Sequence, residues 1–283
     1  MKALITGASS GIGRDMARIL NKKGYDLILV AKDKGKLEDI QKEIGGNTKI
    51  IPMDLISTFN CLELYNQVKD EDIEILINDA GFGLFGSFTT TKLDKELDMI
   101  DLNIKALHTL TKLFLTDFKK KNKGYILNVA SMAAFSPGPM MATYYATKAY
   151  VLSLTEAISE ELRQNNSNVY IGTLCPGPVR TEFNKVAKVI FTVDSMSSYD
   201  VADIAINGMF NKKEIIIPSF KLKFLLFMER FATRKFIAHQ AYGFQKSNKL
   251  WYNLDRGVRW KIKNIKVIVY FFYYSCSYYL LFH

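Results

Sequence analysis

The chain of 283 residues holds only three cysteines, Cys61, Cys175 and Cys276. Their spacing fits neither a disulfide framework nor a thiolate metal site, so no metal is expected. No secretory leader is expected. The chain opens Met1-Lys2-Ala3-Leu4-Ile5, which reads as a strand, and a cytoplasmic setting is expected. There is no internal repeat, and no low-complexity linker precedes residue 212. The basic stretches lack the pattern of sequence-specific readers, so no nucleic-acid partner is expected.

What is present is unevenly distributed. The formal net charge is +10, yet residues 212–283 carry fourteen Lys and Arg against three acids, a net of +11. The preceding 211 residues are therefore close to neutral. Half of the 36 aromatic residues, both tryptophans among them, lie beyond Pro218. This shift divides the chain into a body, 1–217, and a basic aromatic extension, 218–283.

The body alternates short apolar runs with amphipathic stretches, the pattern of βαβ units. Strands are expected at 2–6, 26–31, 48–52, 73–78, 124–130, 168–174 and 214–217. Helices are expected near 12–23, 34–44, 57–68, 92–121, 143–165 and 200–211. Continuous Ile, Leu and Val runs point to strands covered on both faces. The expected fold is α/β, a doubly wound Rossmann-type parallel sheet of about seven strands with helices on both faces.

The first strand runs into Thr6-Gly7-Ala8-Ser9-Ser10-Gly11-Ile12-Gly13 and then a helix. Glycines there permit a tight turn and let a pyrophosphate approach the backbone amides. The second strand ends Leu29-Val30-Ala31-Lys32-Asp33. A carboxylate at its end would take the ribose 2′-hydroxyl of NAD; here Ala31 stands at that position with Lys32 next, which favours the 2′-phosphate of NADP(H). Arg14 could reach the same region. Asp33 would oppose this preference if the alignment slipped by one residue. Asp54, after the third strand, could accept from the adenine amino group or cap the helix that follows.

Further along, the strand Tyr125–Ala130 ends at Ser131, and a helix begins near Thr143. Tyr144 and Lys148 are four apart and share a face, whereas Tyr145 pairs with Ala149. A close ammonium favours the phenolate, which would make Tyr144 a proton donor or acceptor near neutral pH. Lys148 has donors to spare for a ribose hydroxyl. Ser131 can hydrogen-bond a carbonyl oxygen where charge develops.

These motifs, with Asn78-Asp79-Ala80-Gly81, Asn103, and Pro176-Gly177-Pro178 with Thr181, resemble the short-chain dehydrogenase/reductase family over roughly residues 2–217. The resemblance implies that Tyr144 is the acid/base, Lys148 lowers its pKa and binds the nicotinamide ribose, and Ser131 orients substrate. It implies that Asn103 holds a water linking Lys148 to bulk, and that Pro176, Gly177 and Thr181 border the nicotinamide. Asn78, Ala80 and Gly81 are expected at the cofactor edge. One position departs from the family: Asp79 stands where a second asparagine is usual, and a carboxylate cannot donate as an amide would.

The expected activity is NADP(H)-dependent reduction of a ketone or aldehyde, or the reverse oxidation, in a homo-oligomer. Phe82, Phe85, Met132, Phe135, Met140, Met141, Val179 and Phe183 suit an apolar substrate, although some could be ordinary core. Arg180 is the one basic residue of this region that could take a carboxylate. The alternatives are a cofactor-binding regulator with little turnover, or a membrane-associated lipid or 3-oxoacyl reductase. For residues 219–245 two readings stand: a cover for the cleft or a dimer contact, and an amphipathic face for peripheral contact with an anionic membrane. The run Ile265–Phe282 has one charge in eighteen residues, but its tyrosines and serines suit interfacial burial better than crossing.

Overall fold

The computed structural model describes residues 1–181 and 195–255, with side chains as far as residue 246. The expected pocket residue Phe183 and the apolar run Ile265–Phe282 lie outside the described residues.

In chain order the first half comprises β1 (Lys2–Thr6), α1 (Gly11–Lys22), β2 (Asp26–Ala31), α2 (Lys34–Ile44), β3 (Thr48–Pro52), α3 (Thr58–Val68) and β4 (Ile73–Asn78). The second half comprises α4 (Leu93–Ile100), a π-helical turn (Asp101–Ala106), α5 (Leu107–Lys121), β5 (Tyr125–Val129), a short 3-10 turn (Met132–Ala134), α6 (Ala142–Gln164) and β6 (Tyr170–Leu174). It continues with β7 (Val179–Arg180), β8 (Met196–Ser197), α7 (Ser198–Phe210), β9 (Ile215–Ile216), α8 (Phe220–Glu229) and α9 (Arg234–Asp255).

Seven strands form one parallel sheet in the order β3-β2-β1-β4-β5-β6-β9. Alternate residues feed opposite cores, as the pleat dictates. From β1, Ala3 and Ile5 join a core with Met16, Leu20 and Leu37 on one face, shared by Val201 and Ile206 of α7. Leu4 joins Leu64, Leu110, Phe114 and Phe118 on the other. β1, β2, β4, β5 and β6 are buried along almost their whole length because helices cover both faces, while the edge strand β3 leaves Lys49 and Pro52 exposed. The order reverses between β1 and β4, and a doubly wound sheet opens its ligand crevice outside the carboxyl ends at such a point.

Two features differ from the sequence expectation. The helix expected over 92–121 is interrupted by the π turn at Asp101–Ala106. There Asn103 is held by residue 82: its Oδ1 accepts from the Phe82 N–H at 3.1 Å and its Nδ2 donates to the Phe82 carbonyl at 3.0 Å. Single π turns inside α-helices gather at functional sites. The second difference is the small parallel pair β7–β8, which pairs Val179 with Met196 and Arg180 with Ser197.

A buried polar chain ties β4 to β5 below the crevice. Asn78 donates to Asn128 Oδ1 at 2.9 Å and to Thr111 at 3.1 Å, and Asn128 donates to Thr155 at 3.0 Å. All four are enclosed. Asn128→Ala leaves three partners short of a bond, so unfolding in urea is expected to show a loss of about 2–3 kcal/mol; a loss below about 0.5 kcal/mol would mean the network contributes little.

Candidate active site

The turn between β1 and α1 is built around what its glycines lack. Gly7 has φ +71°, a left-handed conformation, and a Cβ there would lie 2.8 Å from the Ala80 nitrogen. At Gly13 a Cβ would meet Asp79 Oδ2 at 2.6 Å. The ends of β1 and β4 can therefore meet only without these side chains. Thr6 Oγ1 secures the junction, accepting from the N–H groups of Asp79 and Ala80 at 3.1 and 3.2 Å.

Ser10, at the N-cap of α1, makes no capping bond with its side chain. Gly7, Ser9, Ser10, Gly11 and Ile12 are half-exposed along this rim, and Gly13 is buried. A helix N-terminus not occupied by its own cap, on a glycine turn at the sheet switch point, fits a dinucleotide pyrophosphate. Thr181 approaches from across the crevice: a Cβ at Gly11 would lie 3.1 Å from its Cγ2.

At the far end of this groove, Lys32 pairs with Asp54 at 2.9 Å. Burial pushes the Asp54 carboxyl up, but the Lys32 ammonium and the Ile56 N–H outweigh it and hold the carboxyl low. Lys32 is largely exposed, and an exposed pair contributes only about 0–1 kcal/mol, so the lysine can turn to another anion at little cost. Asp33 is used locally: its carboxylate caps α2, accepting from the Lys36 N–H at 3.1 Å. Arg14 and Arg18 both meet buried Asp15, at 3.2 and 2.6 Å, and Ser198 of α7 also donates to Asp15.

The catalytic candidates come together on the other side of the switch point. Tyr144, on the first turn of α6, is buried and hydrogen-bonded to Ser131. Ser131 stands just beyond β5, its hydroxyl accepting from the Ala133 N–H at 3.1 Å. One turn along α6, Lys148 Nζ donates to the Val129 carbonyl at 2.8 Å and lies 5.9 Å from the centre of the Tyr144 ring. A Cβ on Gly81 would lie 2.8 Å from Asn103 Oδ1 and 3.6 Å from Lys148 Nζ, so these three groups converge. Asn103 also donates to Thr147 at 3.1 Å, which ties the π turn to α6.

The electrostatics differ from the sequence expectation. Burial holds the Tyr144 phenol above its ordinary value, against an opposing hydrogen bond from Ser131. The expected lowering by Lys148 does not prevail in the chain alone, where burial of the phenol dominates. Burial also lowers Lys148 to about 8, partly offset by the charge of Asp79. Asp79 is lifted to about 7 by burial, against the Lys148 ammonium and the Gly13 N–H.

The model of the short chain dehydrogenase family matches residues 1–189. The chain belongs to the short-chain dehydrogenase/reductase family. An uncharacterised oxidoreductase of Staphylococcus epidermidis is 32% identical over 181 residues, 63% of this chain and 78% of that protein. A very-long-chain 3-oxoacyl-CoA reductase of Danio rerio is 25% identical over 224 residues, 76% of this chain and 71% of that protein. A short-chain dehydrogenase from Sphingobium yanoikuyae, solved with NADPH, superimposes with a TM-score of 0.73 at 27% identity, covering 93% and 98% of the two chains. This short-chain dehydrogenase/reductase is thus an NAD(P)-dependent oxidoreductase acting on alcohol or carbonyl groups.

Not every expected site residue lies in its crevice. The Asn78 amide nitrogen donates to Thr111 and Asn128 inside the body, and among the described residues its Oδ1 is buried with no hydrogen-bond partner. Among the expected pocket residues, Phe82, Phe85 and Met141 cluster around Tyr144 with Met99. Phe135 packs with Leu152 and Cys175, and Val179 belongs to the main core. Met132 and Met140 are half-buried beside them.

Other residues of this reductase gave no signal in the sequence. Glu96 of α4 accepts from Thr143 at 3.1 Å and from Thr91, anchoring the turn before Tyr144. Leu222 of α8 lies against Gly177, where a side chain on residue 177 would stand. Gln245 of α9 donates to the Tyr145 hydroxyl at 3.1 Å. Helix α8 thus packs on Gly177 and α9 on Tyr145, at the edge of the crevice.

The Asp79 carboxyl sets a pH dependence. Its pKa is raised on folding, so the folded protein holds more protons between about pH 4 and 7, and stability falls as pH rises through that window. Asp79→Asn is expected to flatten the slope and stabilise the nucleotide-free protein above pH 7 by about 1–2 kcal/mol, allowing for partial screening. Thermal unfolding at pH 5 and pH 8 checks this, and an unchanged slope would contradict it.

Proposed function

We propose that this enzyme reduces an apolar ketone or aldehyde with NADPH, and that Tyr144 delivers the proton. The observation that carries the reading is the Ser131–Tyr144 hydrogen bond on the buried face of α6, with Lys148 one turn away and Gly81 and Asn103 against it. NADPH, when bound, supplies the hydride to the carbonyl carbon. The C=O π bond breaks as that C–H bond forms, and the electron pair goes to the oxygen. Ser131 orients this oxygen toward Tyr144, whose O–H proton passes to it and yields the alcohol.

Tyr144 must then regain a proton. Lys148, with its pKa lowered to about 8, holds an exchangeable proton near physiological pH and has donors for a ribose hydroxyl. Asn103, at the π turn, supports the water path from Lys148 to bulk. In the reverse direction the same groups remove the alcohol proton. Burial makes Tyr144 a reluctant acid alone, so the positive charge of an oxidised nicotinamide would help it reach the phenolate.

NADP(H) is favoured by Lys32 at the end of β2, with no carboxylate free to take the 2′-hydroxyl, since Asp33 caps α2 and Asp54 is paired. The NADPH-bound relative supports the same preference. Pro176, Gly177 and Thr181 would border the nicotinamide. The apolar ring of Phe82, Phe85, Met99 and Met141 around Tyr144 favours a hydrophobic substrate. The zebrafish relative's name points to a 3-oxoacyl thioester.

Two substitutions test the assignment. Tyr144→Phe is expected to lower kcat by about a thousandfold or more while NADPH binding, followed by fluorescence titration, stays within a few-fold. Substantial residual turnover would end the acid/base role. Lys32→Ala is expected to weaken NADPH by roughly ten- to a hundredfold and NADH hardly at all. Equal effects on the two nucleotides would assign phosphate recognition elsewhere.

A further inference from the structure

Helix α8 is apolar on both sides, and among the described residues only one side is covered. Leu222, Leu225 and Leu226 are half-buried and turn toward the body, with Leu222 on Gly177. On the opposite side Phe220, Phe224, Phe227, Met228 and Phe231 follow helical spacing, and no residue of the helix is fully buried. Phe220 and Phe231 are 82% and 75% exposed. Phe227 and Phe231 meet edge to face, 5.6 Å between centroids, so the stripe is continuous there. An apolar stripe of this kind, fixed on a folded body, marks a surface made to be covered.

The charges around it select what covers it. Lys221, Lys223, Arg230, Arg234 and Lys235 are all exposed beside the stripe. The single acid of the two-helix segment from 219 to 246 is Glu229, which is half-buried and held toward its neutral form by burial. A second copy placed face to face by a two-fold axis would bring these cations against their own images. The segment 256–283 carries five cations and no acidic side chain, so it too lacks the complementary charge. A surface both anionic and apolar beneath satisfies both features: aromatic side chains enter the acyl boundary while flanking Lys and Arg meet the headgroups.

We propose that the outer face of α8, with the exposed cations at the start of α9, seats this protein on an anionic lipid bilayer as a peripheral contact. Among the described residues no helix is long and apolar enough to cross a membrane, which agrees with a contact in the interface plane. The surface is independent of the chemistry proposed above. Through Leu222 on Gly177 it also sets the crevice mouth beside the bilayer.

Sedimentation of the full chain with vesicles of phosphatidylcholine alone, and of phosphatidylcholine mixed with phosphatidylglycerol, tests this. Retention is expected on the mixed vesicles and should fall steeply with added salt. Lys221→Ala with Lys223→Ala should weaken it roughly thirtyfold. Phe224→Glu with Phe227→Glu should abolish it while NADPH binding, which reports the fold, persists. Equal binding to both vesicle types, no binding to either, or variants that bind as well as the native chain would each overturn the proposal. So would a native dimer that Phe224→Glu with Phe227→Glu converts to single chains, because α8 would then be a contact between copies.

Discussion

The close approach of the ends of β1 and β4 is the constraint on which the rest of this site depends. It exists because no side chain stands at Gly7 or Gly13. With Thr6 holding the amides of residues 79 and 80, the glycine turn aims the start of α1 across the switch point. The same junction fixes Gly81, against which Asn103 and Lys148 are packed. Anion binding on one side and proton transfer on the other are thus positioned by one backbone contact. A side chain at either glycine would separate the strands and disturb both halves together.

Burial then does opposite things to the groups gathered there. It raises the Tyr144 phenol and the Asp79 carboxyl, and it lowers the Lys148 ammonium, so each is pushed toward its neutral form. Hydrogen bonds and neighbouring charges only partly reverse this. Asp79 and Lys148 are thereby brought to about 7 and about 8, nearer to each other than in water, while the Tyr144 phenol is moved away from Lys148. Such a set can pass a proton, provided that substrate and nucleotide supply the charge that favours each transfer. Asp79, where an asparagine is usual in this family, adds a titrating group to this arrangement.

The sheet was legible in the sequence because most of its strands are buried on both faces and several read as continuous apolar runs. The seven strands of the main sheet stay within two residues of the expected bounds, and α2 matches at both ends. The glycine turn and the Tyr144–Lys148 pair were legible because helix spacing and turn chemistry are local. What was not legible depends on contacts across the chain. The π turn carries Asn103, whose side chain bonds the backbone of Phe82, twenty-one residues away. The bonds from the Asn78 amide nitrogen to Thr111 and Asn128 likewise span thirty-three and fifty residues. Spacing reports the nearness of an ammonium to Tyr144 but not the depth of burial, which raises the phenol. Leu222 reaches Gly177 by packing alone, with no pattern to announce it.

The central claim is that this crevice couples a nicotinamide hydride to protonation of an apolar carbonyl. The most direct measurement is NADPH and NADH oxidation by the native enzyme with a panel of ketones, aldehydes and 3-oxoacyl thioesters of increasing chain length. The account predicts turnover with NADPH well above NADH and a kcat/KM that rises with the apolar length of the substrate. Tight NADPH binding with no carbonyl reduced across the panel, or failure to bind either nucleotide, would contradict it.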